Sequence, residues 1–566
     1  MTAFRKISFT LAALGLFCAA PVFAADIPGS ADPGRIQERF APATTPDLSK
    51  AAPGVSSGAA TTTAPAGAEN AKLTLQKVVI EGMTAYDELA IAPLYADMIG
   101  QQISLADVYG LAERMTAKYR NEGYILTQVI VPPQTIDGGT VRLRVIEGFV
   151  DQVSFQGETR GDIGYLLPFA EKIKAAKPLN AKALERYLLL MNDIAGISAR
   201  AVLSPSPTVP GASDVTLVVS QKAADFTAQI DNRGSRYLGA FQASVGTRLN
   251  NVFGLYEAFN VQVVTAPDGQ PDRELDYIGL TWSQPVGHEG TKVDVSASIT
   301  STKPGFDLEA FGIEGVAHSY NIQVSHPFIR SRNKNLFATL KFNYLNSERS
   351  DNIPTGTIED RLRVLRAGGT WQFTDSLIGV NTLTAELSRG LDVLGASDKE
   401  DPALTRAAGD PEFFKATFDV SRLQRLNNRF DLFGAISGQI SPDTLLASEE
   451  FGVGGAAFGS AYDNSEITGE DGIAARLELR VNNPFNITSL PYLQMYGFYD
   501  IGNVWDKDNA IVKEQRRSLS SAGTGLRFNI SDNFSGTFEV AAPLTREVET
   551  ENDNSVRAFG SLTARF

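Results

Sequence analysis

The last nine residues, Ala558-Phe559-Gly560-Ser561-Leu562-Thr563-Ala564-Arg565-Phe566, decide the fold. Successive side chains of a β-strand point to opposite faces. Ala558, Gly560, Leu562, Ala564 and Phe566 therefore share one face, and Ser561, Thr563 and Arg565 share the other. One face is apolar and the other polar. The same alternation recurs upstream at Phe226/Ala228/Ile230, Val293/Val295/Ala297/Ile299, Leu526/Phe528/Ile530 and Phe534/Gly536/Phe538/Val540, with Gly, Asn, Asp and Pro between the runs. Extended over residues 223–566 without intervening helices, this pattern predicts a closed antiparallel barrel with lipid outside and water inside. At about 20 residues per strand and turn, that length holds about 16 strands. A pair of soluble β-sandwiches is the competing reading, and the terminal aromatic Phe566 weighs against it.

The rest of the 566-residue chain agrees with an exported protein. Arg5 and Lys6 precede an apolar stretch from Phe9 to Ala20, and Val22-Phe23-Ala24 is a small-residue cleavage site before Ala25. Residues 1–24 therefore read as a signal peptide. The single cysteine, Cys18, lies inside it, and Phe17 before it argues against a lipoprotein site. A processed chain would have no thiol for a disulfide or a metal. Beyond the N-terminus no apolar run approaches the roughly 18 residues of a membrane helix, which leaves barrel strands untouched as an option. The net charge of −14 disfavours nucleic acid, which needs a basic face.

Residues 25–72 are rich in Ala, Pro, Gly, Ser and Thr and read as a flexible linker. One piece departs from that texture. Asp32-Pro33-Gly34-Arg35-Ile36-Gln37-Glu38-Arg39-Phe40 begins with a capping residue and a first-turn proline, and sets Ile36 and Phe40 on one helical face. Residues 73–148 and 149–222 read as two successive β-α-α-β-β units. In the first, Leu73–Ile80 is a strand, Ser104 and Asp107 open a helix carrying Leu105, Val108, Ala112, Met115 and Tyr119, and Tyr124–Val131 is a β-rich run. Gly138-Gly139 then turns into Val141–Ile146. In the second, Val150–Phe155, Ala199–Ser204 and Val215–Ser220 are strands, with a helix over Leu184–Ile194.

Catalysis finds little support. His288, His318 and His326 fall in different barrel segments without a ligand neighbour at metal spacing. Gly452-Val453-Gly454-Gly455 lacks the strand–loop–helix setting of a phosphate site. No enzyme activity, metal or cofactor is expected.

Several stretches stand in a recognisable order: Tyr119-Arg120-Asn121-Glu122-Gly123-Tyr124, Gly138-Gly139-Thr140-Val141-Arg142-Leu143-Arg144-Val145-Ile146-Glu147-Gly148, and Leu188-Leu189-Leu190-Met191-Asn192-Asp193-Ile194-Ala195-Gly196-Ile197. They are followed by Asp231-Asn232-Arg233-Gly234-Ser235-Arg236-Tyr237-Leu238-Gly239, Ser448-Glu449-Glu450-Phe451-Gly452-Val453-Gly454-Gly455 and Tyr499-Asp500-Ile501-Gly502. Taken together, the set resembles the transporters of two-partner secretion, the TpsB or hemolysin secretion/activation family. The resemblance covers essentially all of the chain after residue 24. It implies a transmembrane antiparallel β-barrel of about 16 strands in the bacterial outer membrane, preceded by two α/β POTRA domains in the periplasm.

The same resemblance implies a function and a set of contacts. An unfolded exported partner of the large adhesin or cytolysin class would dock on POTRA 1. The groove and edge there would be formed by Leu105, Val108, Ala112, Met115 and Tyr119 with Tyr124, Ile125, Thr127 and Val129; Val215–Ser220 is a second edge in POTRA 2. The helix bearing Ile36 and Phe40 would plug the resting pore. Outer-membrane lipids surround the barrel, and its C-terminal strand, ending in Phe566, addresses the barrel-assembly machinery. Gly459-Ser460-Ala461-Tyr462 corresponds to the family's gating loop, with Asp500 and Gly502 on the wall that receives it. The family carries arginine where this chain has Ser460. Asp500 is then left to backbone groups, to Tyr462 or to an arginine of the lumen wall, and Ser460→Arg should tighten the loop. A barrel-assembly factor and a diffusion porin remain the rival readings.

Overall fold

The computed structural model describes residues 27–40, 63–267, 273–352, 357–487, 489–507 and 515–566. The expected signal peptide and residues 25–26 and 41–62 of the linker lie outside these residues. Sixteen strands, from Ala224–Asp231 to Arg557–Arg565, close into one barrel in which every neighbour pair is antiparallel. Leu280, Ile322, Leu340, Leu477, Phe538 and Leu562 are exposed on its outer face. On the lumenal face, Gln323, Asn343, Arg366, Arg476, Glu478 and Asp500 are buried.

Only five residue pairs join the first strand to the last, Ser561 opposite Asp231 through Arg565 opposite Thr227. Phe566 lengthens this seam. Its N–H donates to the Phe226 carbonyl (2.9 Å), the Phe226 N–H donates back (3.0 Å), and its ring meets Phe534 edge-on at 5.8 Å. At the other end the Asn232 amide bridges both backbone groups that a strand partner would fill, donating to the Ala558 carbonyl and accepting from the Gly560 N–H (3.0 and 2.7 Å).

Two modules precede the barrel. In the first, β1 (Lys72–Thr74) pairs with β3 (Gln102–Ser104), and β2 (Lys77–Glu81), β4 (Gln128–Ile130) and β5 (Thr140–Ile146) form a sheet in the order β2-β5-β4. In the second, β6 (Phe149–Gln156), β7 (Ile197–Pro205) and β8 (Ala212–Gln221) form a sheet in the order β6-β8-β7. Both sheets place one parallel and one antiparallel neighbour beside the central strand, as repeats of one plan do. The single strand expected over Leu73–Ile80 breaks at Leu75, whose N–H and C=O pair with Gln101 and Gly100 rather than with the main sheet.

Helix α1 (Pro33–Phe40) precedes both modules, α2 (Glu88–Ile91) and α3 (Leu105–Asn121) belong to the first, and α4 (Leu167–Ala175) and α5 (Ala181–Asn192) to the second. The capping box of α3 is formed: the Asp107 N–H donates to the Ser104 hydroxyl and the Ser104 N–H to the Asp107 carboxylate (3.2 and 2.8 Å). Its apolar stripe packs on its own sheet, with Val108, Leu111, Ala112, Met115 and Tyr119 buried beside Val129, Val141, Leu143 and Val145. Each fully buried valine, leucine or methionine among them contributes about 1.5–3 kcal/mol by leaving water.

The second module is bolted to the near-end turns of the barrel. Arg330 grips the Asp193 carboxylate through two nitrogens (2.8 and 2.7 Å), a bidentate charge-assisted pair. Glu289 accepts from Arg186 and Tyr187 (both 3.3 Å) and pairs with Lys172 at 3.2 Å. His288 lies between the rings of Tyr165 and Phe169, with centroids at 5.0 and 5.5 Å.

Glu147 ties the ends of the first module together. It accepts from the backbone N–H groups of Thr84 and Ala85 (2.8 and 2.9 Å), from the Thr84 hydroxyl and from the Tyr119 hydroxyl (2.8 Å). Burial alone would raise its pKa, but these bonds outweigh burial and hold the carboxyl below its usual range. A depressed folded-state pKa stabilises above the unfolded value of 4.5 and is lost as pH falls through the folded value. Hydrogen exchange on the full chain should therefore show α3 protection falling as pH drops below 4.5. Glu147→Gln should start less protected at neutral pH and lack this acid-dependent loss; an identical acid profile would remove Glu147 as its source.

Candidate functional site

Residues 441–470 connect the barrel strands Phe430–Ile440 and Asp471–Asn482. Within them, Phe451–Val453 pairs with Ile467–Gly469 in a short ribbon. The ribbon lies against the wall at Gly502, where an added Cβ would come within 2.4 Å of Val453, so only glycine admits it. The loop turns at Gly459, with φ +97°, and the Tyr462 N–H donates to the Gly459 carbonyl at 2.9 Å. Ser460, Ala461 and Tyr462 are buried.

The loop tip does face Asp500. The Ser460 N–H donates to the Asp500 carboxylate at 3.0 Å, and Ser521 donates to the same oxygen at 3.1 Å. The positive charge comes from the wall. Arg476, directly opposite Asp500 in strand register, donates to the Ser460 hydroxyl (2.8 Å), the Ala456 carbonyl (3.1 Å) and Asp500 (3.4 Å). Two more arginines hold the tip by its backbone, Arg233 on the Ser460 carbonyl (3.1 Å) and Arg557 on the Ala461 carbonyl (3.0 Å). Tyr462 does not reach Asp500; its hydroxyl lies 3.2 Å from the Ser520 and Arg546 carbonyls.

These cations are balanced on the lumenal face. Glu478 meets Arg476, Arg480 and Arg527, and Glu539 meets Arg233 at 2.7 Å and the Tyr496 hydroxyl at 2.6 Å. Arg476, Glu478 and Arg480 alternate along one strand, which makes that face polar in the sequence. Their match to Asp500 needs the pairing of Asp471–Asn482 with Tyr492–Trp505, a register the sequence does not spell out. Nearby, Glu450, Glu470 and Asp506 converge as three carboxylates, and the Arg406 guanidinium lies among them, pairing with each.

Helix α1 lies inside the barrel against strands Thr291–Thr302, Glu314–Arg330 and Lys334–Ser350. Asp32 caps it, accepting from the N–H groups of Gly34 and Arg35 (2.8 and 3.1 Å). Ile36 is buried against Tyr237, Leu238 and Leu275, and the Phe40 ring lies 5.2 Å from Tyr277. Arg35 donates to the Ala447 and Glu450 carbonyls (2.6 and 3.0 Å) and to the Ser465 hydroxyl (3.2 Å). One side chain thus joins the helix to both ends of the ribbon.

The expected groove of the first module needs correction. Val108, Ala112, Met115, Tyr119, Thr127 and Val129 are all buried in the module itself, because an apolar helical stripe packs on its own sheet before it can serve a guest. Leu105 packs at the margin of the same core. Tyr124, Ile125 and Thr127 are not in a strand: Tyr124 and Thr127 donate to the carbonyls of Tyr119 and Tyr124 in the turn that ends α3, leaving only Gln128–Ile130 extended. The Val129 N–H is already taken by the Thr116 hydroxyl at 2.9 Å.

In the second module the expected edge, Val215–Ser220, is part of β8, the central strand, paired on both sides. The free antiparallel edge is β7. Asn192 covers it at Ala199, accepting from its N–H and donating to its carbonyl (both 2.9 Å). Among the described residues, the stretch from Ala201 to Leu203 remains open, with Val202 exposed.

The model of the haemolysin secretion/activation protein ShlB/FhaC/HecB matches residues 211–528, more than half of the chain, and that of the ShlB-type POTRA domain matches 73–148. The chain belongs to this family. It is similar to the heme/hemopexin transporter protein HuxB of Haemophilus influenzae strain 86-028NP, 23% identical over 82% of this chain and 81% of that one. It is also similar to the outer membrane transporter CdiB of Escherichia coli O6:K15:H31, 24% identical over 85% and 80%. The solved structure of CdiB from Escherichia coli shares the fold with a TM-score of 0.71 at 21% identity, covering 92% of this chain and 94% of that one. BamA from Haemophilus ducreyi lacking POTRA domains 1-3 shares it more loosely, with a TM-score of 0.52 at 12% identity. The protein is accordingly an outer-membrane transporter of the two-partner secretion type, with POTRA domains in the periplasm. This reading displaces the assembly factor and the porin.

The geometry reverses the expected effect of Ser460→Arg. Ser460 is fully buried and touches Arg476, so an arginine there would set two guanidinium groups on one carboxylate. Ser460→Arg and Arg476→Ser should each loosen the loop, and the double exchange should restore it. The coupling should be about 1–3 kcal/mol in a double-mutant cycle read by protease protection of residues 454–463. Additive single effects would mean that the two positions do not share Asp500.

Proposed function

We propose that the chain passes one large unfolded partner, of adhesin or cytolysin class, from the periplasm to the cell surface. In the resting state α1 and the loop around Gly459–Tyr462 close the lumen together. The observation that carries this reading is Arg35, which bonds α1 to the loop base at Ala447 and Glu450 and to Ser465 on its returning side. A part-buried, charge-assisted grip of this kind contributes about 1.5–3 kcal/mol in total. Since 1.4 kcal/mol is a factor of ten, Arg35→Ala should raise the open fraction of the pore about tenfold or more. Deletion of residues 32–40 should open it further. Conductance in planar bilayers reads both, and unchanged currents would leave α1 a passenger in the lumen.

The partner is recognised by strand addition to the open half of β7, where backbone groups supply affinity and alternate side chains supply selection. The C-terminal strand is the element presented to the barrel-assembly machinery, and outer-membrane lipids cover the apolar wall. Folding of the partner outside is the driving force. Ala201→Pro removes one outward N–H without touching the ladder to β8. It should sharply reduce the secreted partner, identified as the large protein lost from the surface and medium when this chain is deleted, while the barrel still assembles. Full secretion by a well-assembled Ala201→Pro variant would reject this edge.

A further inference from the structure

Residues 160–165 of the second module lie along the periplasmic turn 251–257 of the barrel. The Asn251 amide donates to the Arg160 carbonyl, and the Tyr256 hydroxyl to the Asp162 carbonyl at 3.1 Å. The Tyr165 ring stacks on Tyr256 with centroids 4.9 Å apart, and its hydroxyl donates to the Gly287 carbonyl at 2.8 Å. These contacts fix one side of the segment. Ile163 in this segment and Leu167 at the start of α4 are 38% and 49% exposed, and the adjoining turn carries Val252, Phe253 and Leu255 at 51%, 70% and 58%.

This apolar margin continues into the lipid-facing wall. Phe253 meets Phe259 edge-on at 5.6 Å. Phe259 pairs across strands with Trp282, which shares the outer face with the exposed Ile278 and Leu280. Both aromatic residues lie near the periplasmic ends of their strands, where barrels carry the aromatic girdle that marks headgroup depth. A run of exposed apolar side chains starting at that girdle marks an interaction surface, and lipid already covers its other end. The neighbouring Asp162 carboxylate is turned onto the Gly164 N–H (2.8 Å), and Arg160 is exposed.

We propose that this margin of the second POTRA domain is a phospholipid-binding surface. Ile163 and Leu167 insert shallowly into the periplasmic leaflet beside Phe253 and Leu255, so the membrane as well as the barrel turns fixes the orientation of the module. The test uses the full chain with Cys18→Ser and single cysteines, Ile163→Cys or Leu167→Cys, labelled with an environment-sensitive fluorophore. In phosphatidylethanolamine/phosphatidylglycerol liposomes both labels should emit blue-shifted light and be quenched by phospholipids brominated near the headgroup. A label at Leu89→Cys, on the first module and 83% exposed, should behave as in water. Aqueous, unquenched emission at 163 and 167 in well-assembled protein overturns the proposal. Photoactivatable phosphatidylethanolamine gives a second reading on the unsubstituted chain: adducts within residues 160–167 support the surface, and adducts confined to the barrel overturn it.

Discussion

Everything in this molecule depends on closing one backbone hydrogen-bond ladder. In hydrocarbon an unpaired N–H or C=O costs several kcal/mol, so a sheet can cross a membrane only if its first and last strands meet. Here they meet over five pairs, against eight for the next neighbours along. The short seam is completed from both ends by groups that stand in for missing strand, the Phe566 backbone at one end and the Asn232 amide at the other. The terminal phenylalanine is thus a structural member of the wall as well as its last residue.

Closure creates a lumen, and the lumen sets the electrostatics. Charges on the inner face are withdrawn from much of the solvent and must be matched at close range. Arg476, Arg480 and Arg527 share Glu478, Arg233 shares Glu539 with Tyr496, and Arg476 also serves Asp500. The loop tip enters this lattice mostly through backbone groups and one serine hydroxyl. Its anchor belongs to the wall, so the loop itself carries no charge at that point. Arg35 extends the arrangement to α1, and helix and loop are joined in one hydrogen-bonded unit.

The second module transmits that architecture to the periplasm. Arg330 on Asp193, and Glu289 beside Lys172, Arg186 and Tyr187, fasten it to two turns of the barrel. A module held at several points presents β7 in one orientation relative to the lumen. Helix side chains cover part of the antiparallel edge of each sheet, Thr116 at Val129 and Asn192 at Ala199. Partial cover limits unwanted strand pairing and leaves a short open segment.

The sequence by itself determined the elements whose signal is local. Period-two alternation marked the strands of the wall, Ser104 with Asp107 marked the start of α3, and Asp32-Pro33 marked the start of α1. The ordered set of stretches from Tyr119 to Gly502 was enough to place the chain in its family. It could not say which way α3 faced. Val108, Met115 and Tyr119 have the spacing of an apolar stripe whether that stripe meets a guest or a sheet, and only the packed module shows that it meets the sheet. Nor could it order the second sheet, because the pattern of β8 is that of a strand but carries no record of having neighbours on both sides. The partner of Asp500 was hidden for the same reason. Arg476 lies 24 residues away in the chain and comes opposite it only through the register of two strands, a long-range pairing set by the closed ladder and not by any neighbouring residue.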